Sequence, residues 1–525
     1  MTLDRPSSMP PEELLLNIQN ENRKFKDYYL WLEKAMPPAF FEEISRENAM
    51  LISHTLMGFD LQAYFSTIHL KNGVLVMCLD SPDADLRILE NYALYGIKNY
   101  RAYVSNTPLP SSETKENLRI ASILFTQAKE TGGIPLSSGA KEGLYSLVKE
   151  HNEGLSRPHF DDLIDHIDGS LLRALPTERL VSALNMFFRA QTRDTCQYEV
   201  HYHENWKETS TPSMQIVMAW RNTPKHHFLY RIARVIHRHG LVLKCVHASY
   251  INTANKNSIL LMVLELHGGN GEAVWDVANI PEFLRELLTV KYFASFDLID
   301  AKLVGKKIIS GNMGNFLRST VNFIHQALVY IDPNVYTLEN IESAICRHPE
   351  LTVKMCEAFR YKFDPECHDH QKYKELREAF LLDIDKLDTG QEENDIRSKN
   401  ILKQGMNFIH HTYKTNFYRT ILSAHSFRLN PEYLNDIPFN RKNFFPEMPY
   451  AIFFIKGMHF FGFHIRFKDL SRGGLRTVSP AQADQVIYER NQIFAECYNL
   501  ALTQHMKNKD IPEGGSKGII FLNLF

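Results

Sequence analysis

The sequence predicts an α+β chain of several domains: two small antiparallel sheets with helices on one face, a helical region, and the opening of an α/β domain. Three observations predict it. From Phe40 onward helix-spaced and strand-like segments alternate, and Ser213–Ile299 gives the full order β-α-β-β-α-β. Asn315–Leu434 keeps helical spacing of its apolar residues. After Pro446, two Gly-rich segments that each carry cations flank one long helix. At ~150 residues per domain, 525 residues correspond to roughly three or four domains.

The first thirty or so residues read as a polar lead-in. Phe40–Met57 sets Phe41, Ile44, Met50, Ile52 and Leu56 at helical spacing. Tyr64–His69 and Val74–Leu79 read as strands. Lys71-Asn72-Gly73 between them is a hairpin signal, because Asn and Gly tolerate positive φ. Asp83–Leu94 reads as a helix and Lys98–Val104 as a strand, most of a split β-α-β unit. Leu109–Ala140, rich in Ser, Thr, Pro and Gly, reads as a connection with a helix around Glu116–Lys129, and Lys141–Ala190 as mostly helical.

In the second unit Ser213–Trp220 is predicted as a strand. His227–Arg238 is predicted as an amphipathic helix, with Phe228, Leu229, Ile232 and Ile236 on one side and Gly240 as its stop. Leu241–Ile251 and Ser258–Leu266 are predicted as paired strands, Val274–Leu288 as a helix that Pro281 kinks or splits, and Tyr292–Ile299 as a closing strand. This ferredoxin-like order looks like the ACT type of regulatory domain, an analogy at the level of fold. Within the helical region, the charged run Asp385–Lys399 reads as exposed. Ala451–Ile455 and His459–Phe467 read as strands joined at Lys456-Gly457-Met458, and Leu470–Arg476 as a Gly-rich loop. Ser479-Pro480-Ala481-Gln482 reads as a helix start, with Ser as N-cap, and the helix runs to about Thr503. Pro512–Gly518 reads as a second Gly-rich loop leading into the strand Ile519–Leu522.

Lys+Arg number 59 and Asp+Glu 61, for a net charge of -2. That balance argues against a dedicated nucleic-acid binder. No apolar run reaches the ~18 residues needed to cross a bilayer, so no membrane partner is expected. The start, MTLDRPSSMPPEELLLN, has no basic segment followed by an apolar core, and neither a secretory signal nor a transit peptide is expected. Seven dispersed Cys without CxxC spacing suggest reduced thiols and a cytoplasmic location.

Glycines let a backbone approach a small anion, and Arg and Lys neutralise it. Arg472, Arg476, Lys507 and Lys517 together suit a ligand with two carboxylates. Any one of them taken alone is most simply a solvated surface charge, but two Gly-Gly segments that carry them need a reason. A phosphate loop fits poorly: Ser516 separates Gly515 from Lys517, and no helix start follows. Cys367-His368-Asp369-His370 lacks a matching ligand pair elsewhere and reads as structural or surface histidine, as do His201/His203, His226/His227 and His410/His411, so no metal site is expected. Gly268-Gly269-Asn270-Gly271 lacks dinucleotide spacing and reads as a turn.

RGGLR at Arg472–Arg476 and KNKDIPEGGSKG at Lys507–Gly518, with the helix between them, resemble the substrate domain of the large NAD-specific glutamate dehydrogenases, the roughly thousand-residue class. The resemblance covers Pro446 onward. It implies that Arg472, Gly473, Gly474 and Arg476 bind the substrate side-chain carboxylate. The smaller hexameric enzymes have Lys where Arg472 stands. Lys507 matches the lysine that holds the α-carboxylate, although comparison with the smaller enzymes puts His505 there. Lys517 matches the catalytic lysine, which polarises the substrate carbonyl and assists the attacking water; Gly514 and Gly515 let the backbone approach. The resemblance further implies L-glutamate and 2-oxoglutarate as ligands, NAD as cofactor, a homo-oligomer, and a small-molecule allosteric effector.

The domains expected on this basis are the lead-in 1–30, an ACT-like region with a helical insertion at 31–195, a second ACT-like domain at 196–312, the helical region 313–440, and the start of the substrate domain at 441–525. In that family the Rossmann domain and the carboxylic acid partner of the lysine follow the lysine in sequence. The chain is therefore expected to hold the regulatory half and part of the substrate site, with no cofactor-binding residue, as a fragment or a truncated relative. The alternative is a non-catalytic ACT-like amino-acid-binding chain. Purified alone, the chain is expected to reduce no NAD with glutamate, which a spectrophotometric assay checks.

Overall fold

The computed structural model describes residues 11–58, 65–110, 115–125, 138–167, 172, 177–203, 212–252, 258–293, 296–507 and 512–523. The chain forms two compact units, Met1–Ile280 and Pro281–Phe525. No described helix is long and apolar enough to cross a membrane.

The first unit contains α1 (Pro11–Ala35), α2 (Pro38–Glu43), α3 (Arg46–Met57), β1 (Ser66–Leu70), β2 (Gly73–Leu79), α4 (Ala84–Asn91), β3 (Ile97–Pro108) and β4 (Asn117–Phe125). After these come α5 (Ser138–Glu150), α6 (Arg157–His166), α7 (Thr177–Thr192), β5 (Gln197–His203), β6 (Ser213–Arg221), α8 (Phe228–Arg238), β7 (Leu241–Asn252), β8 (Ser258–Gly268) and the short α9 (Val274–Val277). All eight strands lie in one sheet, ordered β1-β2-β4-β3-β7-β8-β6-β5. The order is a repeat: β1-β2-α4-β3-β4 and β5-β6-α8-β7-β8 each place their fourth strand between the second and third. The halves join where β3 pairs antiparallel with β7, from Asn99 opposite Ser249 to Ala102 opposite Val246. Helices α1–α3 and α5–α7 cover one face, through Leu75, Met77 and Ile120 in the first half and Val217, Ala219 and Leu261 in the second. The alternate residues face α4 and α8, as Trp220 does edge-to-face on Phe228. Buried Arg119 on β4 pairs with Asp80 and Asp85 and donates to the Leu243 carbonyl of β7 at 2.7 Å, so its charge is met from both halves.

Several expectations are corrected here. The stretch read as a lead-in contributes α1. The helix expected over Phe40–Met57 breaks at Ile44-Ser45, where Ser45 caps α3 by accepting the Asn48 N–H at 3.1 Å. The helix expected around Glu116–Lys129 is β4 as far as Phe125, paired with β2 and β3 on both sides; central pairing overrides a weak local helical pattern. Residues 126–129 of it lie outside the described residues. Leu241–Ile251 and Ser258–Leu266 do pair, as β7 and β8. Tyr292–Ile299, however, forms no strand among its described residues: Val290–Tyr292 is a 3-10 turn, and Asp297 accepts the Asp300 N–H at 2.9 Å and opens a helical turn. The fourth strand comes from upstream, as β5 against β6.

The second unit runs α10 (Ile280–Leu287, nearly all within it), α11 (Gly311–Leu328), α12 (Leu338–Arg347), α13 (Pro349–Phe363), α14 (His370–Asp385), α15 (Glu392–His411), β9 (Thr412–Thr415) and β10 (His425–Leu429). It continues with β11 (Ala451–Lys456), β12 (Phe460–Arg466), β13 (Ser471–Arg472), β14 (Leu475–Val478), α16 (Gln485–Met506) and β15 (Gly514–Leu522). Strands β9 and β10 fall within the region expected to be helical; they extend the sheet from β11, where Phe427 and Leu429 face the core. The sheet runs β13-β15-β12-β11-β10-β9, with β14 also on β15. Helix α11 is buried along nearly its whole length, and Phe316 stacks on Phe359 at 4.0 Å. The Cys-His-Asp-His run is a helix start: Asp369 caps α14 by accepting the Gln371 and Lys372 N–H groups at 3.0 Å. Helix α16 begins at Gln485, not at Pro480, because Val478 still pairs with Phe521 on β15 and keeps the chain extended.

Burial pushes His325 and His425 in this unit down to about 3. Unfolded, they titrate near 6.5, so between those values the unfolded chain binds more protons and stability falls as the pH drops. Each contributes at most about 1.4 kcal/mol per pH unit. His425→Phe is expected to flatten this dependence, as read from urea midpoints between about pH 7 and about pH 4.5. Gly515→Ala is expected to cost about 1–3 kcal/mol or more. Its methyl would stand 2.1 Å from the His505 amide nitrogen and 2.3 Å from the Ala501 carbonyl oxygen. Calorimetric unfolding against the parent chain checks it.

Candidate active site

The two segments read as Gly-rich loops are one piece of sheet. Gly514–Gly518 begins β15, and Ser471–Val478 pairs alongside it, parallel, as β13 and β14. Ser471 faces Gly514, Arg472 faces Gly515, Leu475 faces Gly518 and Arg476 faces Ile519. Gly473 and Gly474 form the break between β13 and β14. A Cβ on Gly473 would stand 1.7 Å from the Ser516 carbonyl oxygen, so no other residue fits. On its other side β15 pairs antiparallel with β12, Lys517 opposite Ile465.

Alternation along β15 sends Gly515, Lys517 and Ile519 to the face covered by α16, and cross-strand pairing sends Arg472 and Arg476 the same way. Two contacts fix this. Gly515 abuts the last turns of α16, and Arg476 makes an ion pair with Glu496 of α16. Lys517 is partly buried, and its Nζ lies 3.9 Å from where a Gly474 Cβ would stand. The structure thus brings Lys517, Gly473, Gly474, Arg472, Arg476, Gly514 and Gly515 into one neighbourhood. Lys507 stands at the C-cap of α16, exposed, its N–H donating to Thr503 O at 3.2 Å. His505 is engaged otherwise: its ring stacks on Phe467 at 5.3 Å, and its Nδ1 accepts the Gly515 N–H at 3.3 Å.

Two residues here escaped sequence reasoning. Glu496 neutralises Arg476. Cys497 donates its thiol to the Lys517 carbonyl at 3.2 Å and the Phe463 carbonyl at 3.5 Å, holding α16 against both strands. Their signal is helical spacing: Ile493, Cys497 and Ala501 form the buried stripe of α16, and Glu496 flanks it. A cavity of about 700 Å³ lies on the opposite face of the sheet, lined by Phe453, Ile455, Leu475, Gly518 and Ile520; none of the four cations borders it. For NAD the described residues offer no fit. The Gly cluster after β8, Gly268–Gly271, forms a 3-10 turn into the short α9, not a phosphate-binding helix start.

Residues 386–523 match the family described as bacterial NAD-glutamate dehydrogenase, catalytic domain. The glutamate dehydrogenase 2 of Dictyostelium discoideum is 35% identical over 204 residues, which are 38% of this chain and 19% of that protein. The NAD-specific glutamate dehydrogenase of Saccharomyces cerevisiae is 48% identical over 132 residues, 25% of this chain and 11% of that protein. That of Neurospora crassa is 44% identical over 110 residues, 21% and 10% respectively. The chain therefore spans only a minor part of the length of the curated relatives it matches. This matched segment, which contains the β12–β15 sheet and α16, is similar to the large NAD-specific glutamate dehydrogenases.

Proposed function

We propose that this chain supplies the substrate-binding part of an NAD-dependent glutamate dehydrogenase, which oxidatively deaminates L-glutamate to 2-oxoglutarate and ammonium. One observation carries the reading: Lys517 Nζ lies against Gly474, with Arg472 and Arg476 on the same face. A dicarboxylate needs two cationic ends, and the reaction between them needs a donor aimed at the carbonyl oxygen. Arg472 and Arg476 take the side-chain carboxylate, with Gly473 and Gly474 admitting it to the backbone. Lys507 takes the α-carboxylate; His505 is the weaker candidate, because Phe467 and the Gly515 N–H already hold its ring. Lys517 hydrogen-bonds the carbonyl oxygen as charge develops there and helps activate water. No step is assigned to the nicotinamide, which has no seat among the described residues. The two β-β-α-β-β halves of the first unit serve as ACT-like regulatory units that take a small-molecule effector. The working form is a cytoplasmic homo-oligomer.

The test is steady-state kinetics on the full-length enzyme that carries this segment. Lys517→Ala is expected to lower kcat about 10²–10³-fold with little change in KM, since its bond tightens only in the transition state. Arg472→Ala and Lys507→Ala are expected mainly to raise KM. A Lys517→Ala enzyme with near-normal kcat would remove the central residue of this mechanism.

Cys497 offers a check that needs no activity. Burial pushes its thiol up to about 12, so it stays protonated and unreactive near neutral pH. Iodoacetamide is expected to leave Cys497 unmodified in the folded chain and to label it after denaturation, as read by mass spectrometry.

A further inference from the structure

At the far end of the second sheet, the turn between β11 and β12 closes one wall of a cavity of about 160 Å³. It is separate from the Lys517 neighbourhood: Lys456 pairs with Phe461 at the start of β12, whereas Lys517 pairs with Ile465 near its end. Phe293, Ile299, Val321, Leu338 and Met458 give it apolar walls. Four charged side chains also border it: Asp297, Arg318, Glu342 and Lys456.

Two of the four compensate each other, and Glu342 is held by a backbone N–H. Arg318 grips Asp297 with two N–H groups and donates a third to Asn315 Oδ1 at 2.8 Å. Asp297 also accepts the Asp300 N–H, and Glu342 accepts the Ile299 N–H at 3.1 Å. Lys456 differs. Its Nζ donates to the carbonyl oxygen of the adjacent Gly457, and among the described residues no carboxylate stands within ion-pair reach of it. The charge it senses most is a second cation, Arg318; burial and that repulsion push the ammonium down to about 8. A partly buried ammonium with no counter-ion within reach is costly to keep, and an entering anion relieves the cost.

We propose that this cavity binds a small monocarboxylate, with the carboxylate on Lys456 Nζ and a short apolar tail against Phe293, Val321 and Leu338. Charge-assisted hydrogen bonds satisfy the ammonium, and the walls take the tail out of water. The volume equals about five waters at roughly 30 Å³ each, which limits the ligand to about four to seven heavy atoms. A second carboxylate would meet Asp297 or Glu342 and is rejected.

The test is calorimetric titration of the full chain with butyrate, butyramide and succinate. Saturable binding of butyrate is expected, at least tenfold tighter than of either other compound, and Lys456→Met is expected to weaken it at least tenfold. A second measurement uses the unaltered chain: butyrate should slow acetylation of Lys456 by acetic anhydride, read by mass spectrometry, but not that of exposed Lys386. Three results would overturn the proposal: no saturable butyrate binding, butyramide binding as well as butyrate, or full binding in Lys456→Met. If that variant does not fold, unprotected acetylation of Lys456 overturns it instead.

Discussion

The second unit depends on how closely α16 can sit on β15. Gly515 has no side chain, so the helix backbone at Ala501 and His505 reaches the strand backbone directly. Around that contact the remaining attachments follow. The Gly515 N–H finds His505 Nδ1, its carbonyl accepts the Phe467 N–H at 3.0 Å, and Cys497 bonds the carbonyls of Lys517 and Phe463. Each satisfies a polar group that would otherwise be buried unpaired. A side chain at 515 would lift the helix and break the bonds that His505 and Cys497 make to the sheet.

That seating also decides where Lys517 can be. Had Gly514–Gly518 been a loop, the amine would sweep a wide volume. As a strand paired on both edges, β15 fixes the Lys517 backbone between Ile465 of β12 and the β13–β14 break. Only the side-chain torsions remain to be ordered, which lowers the entropic cost of aiming the amine. The glycines therefore have different tasks: Gly515 admits the helix, Gly473 admits the neighbouring strand, and Gly474 leaves open the space that Lys517 Nζ borders.

What the sequence revealed follows from how local each signal is. The Asn-Gly hairpin of β1 and β2, the stripe of α8 and the β7–β8 hairpin are written in neighbouring residues and were legible, whereas the cationic Gly-rich segments read as loops because the pairing that makes them strands joins residues far apart in sequence. Strand β4 was misread because its identity depends on β2 and β3 lying on either side. Strand β5 was missed although Tyr198, Val200 and Tyr202 alternate with polar residues as an edge strand does; it pairs with β6. The pairing of Arg476 with Glu496 joins residues on two elements whose contact is set by the close approach at Gly515, so no spacing rule could show it.

The same sheet treats its cations in two ways, and the difference is one of solvent. Near β13 and β14, Arg476 is half exposed and shares its charge with Glu496, so water and a carboxylate both screen it. Under the proposed function, an incoming carboxylate there would compete with an existing partner, and binding would rest on several cations acting together. At the β11–β12 turn Lys456 borders the cavity partly buried, its neighbour Arg318 is spent on Asp297, and no carboxylate among the described residues stands within ion-pair reach of it. There the position of Lys456, away from any carboxylate within ion-pair reach, is what favours an anion at its end of the cavity.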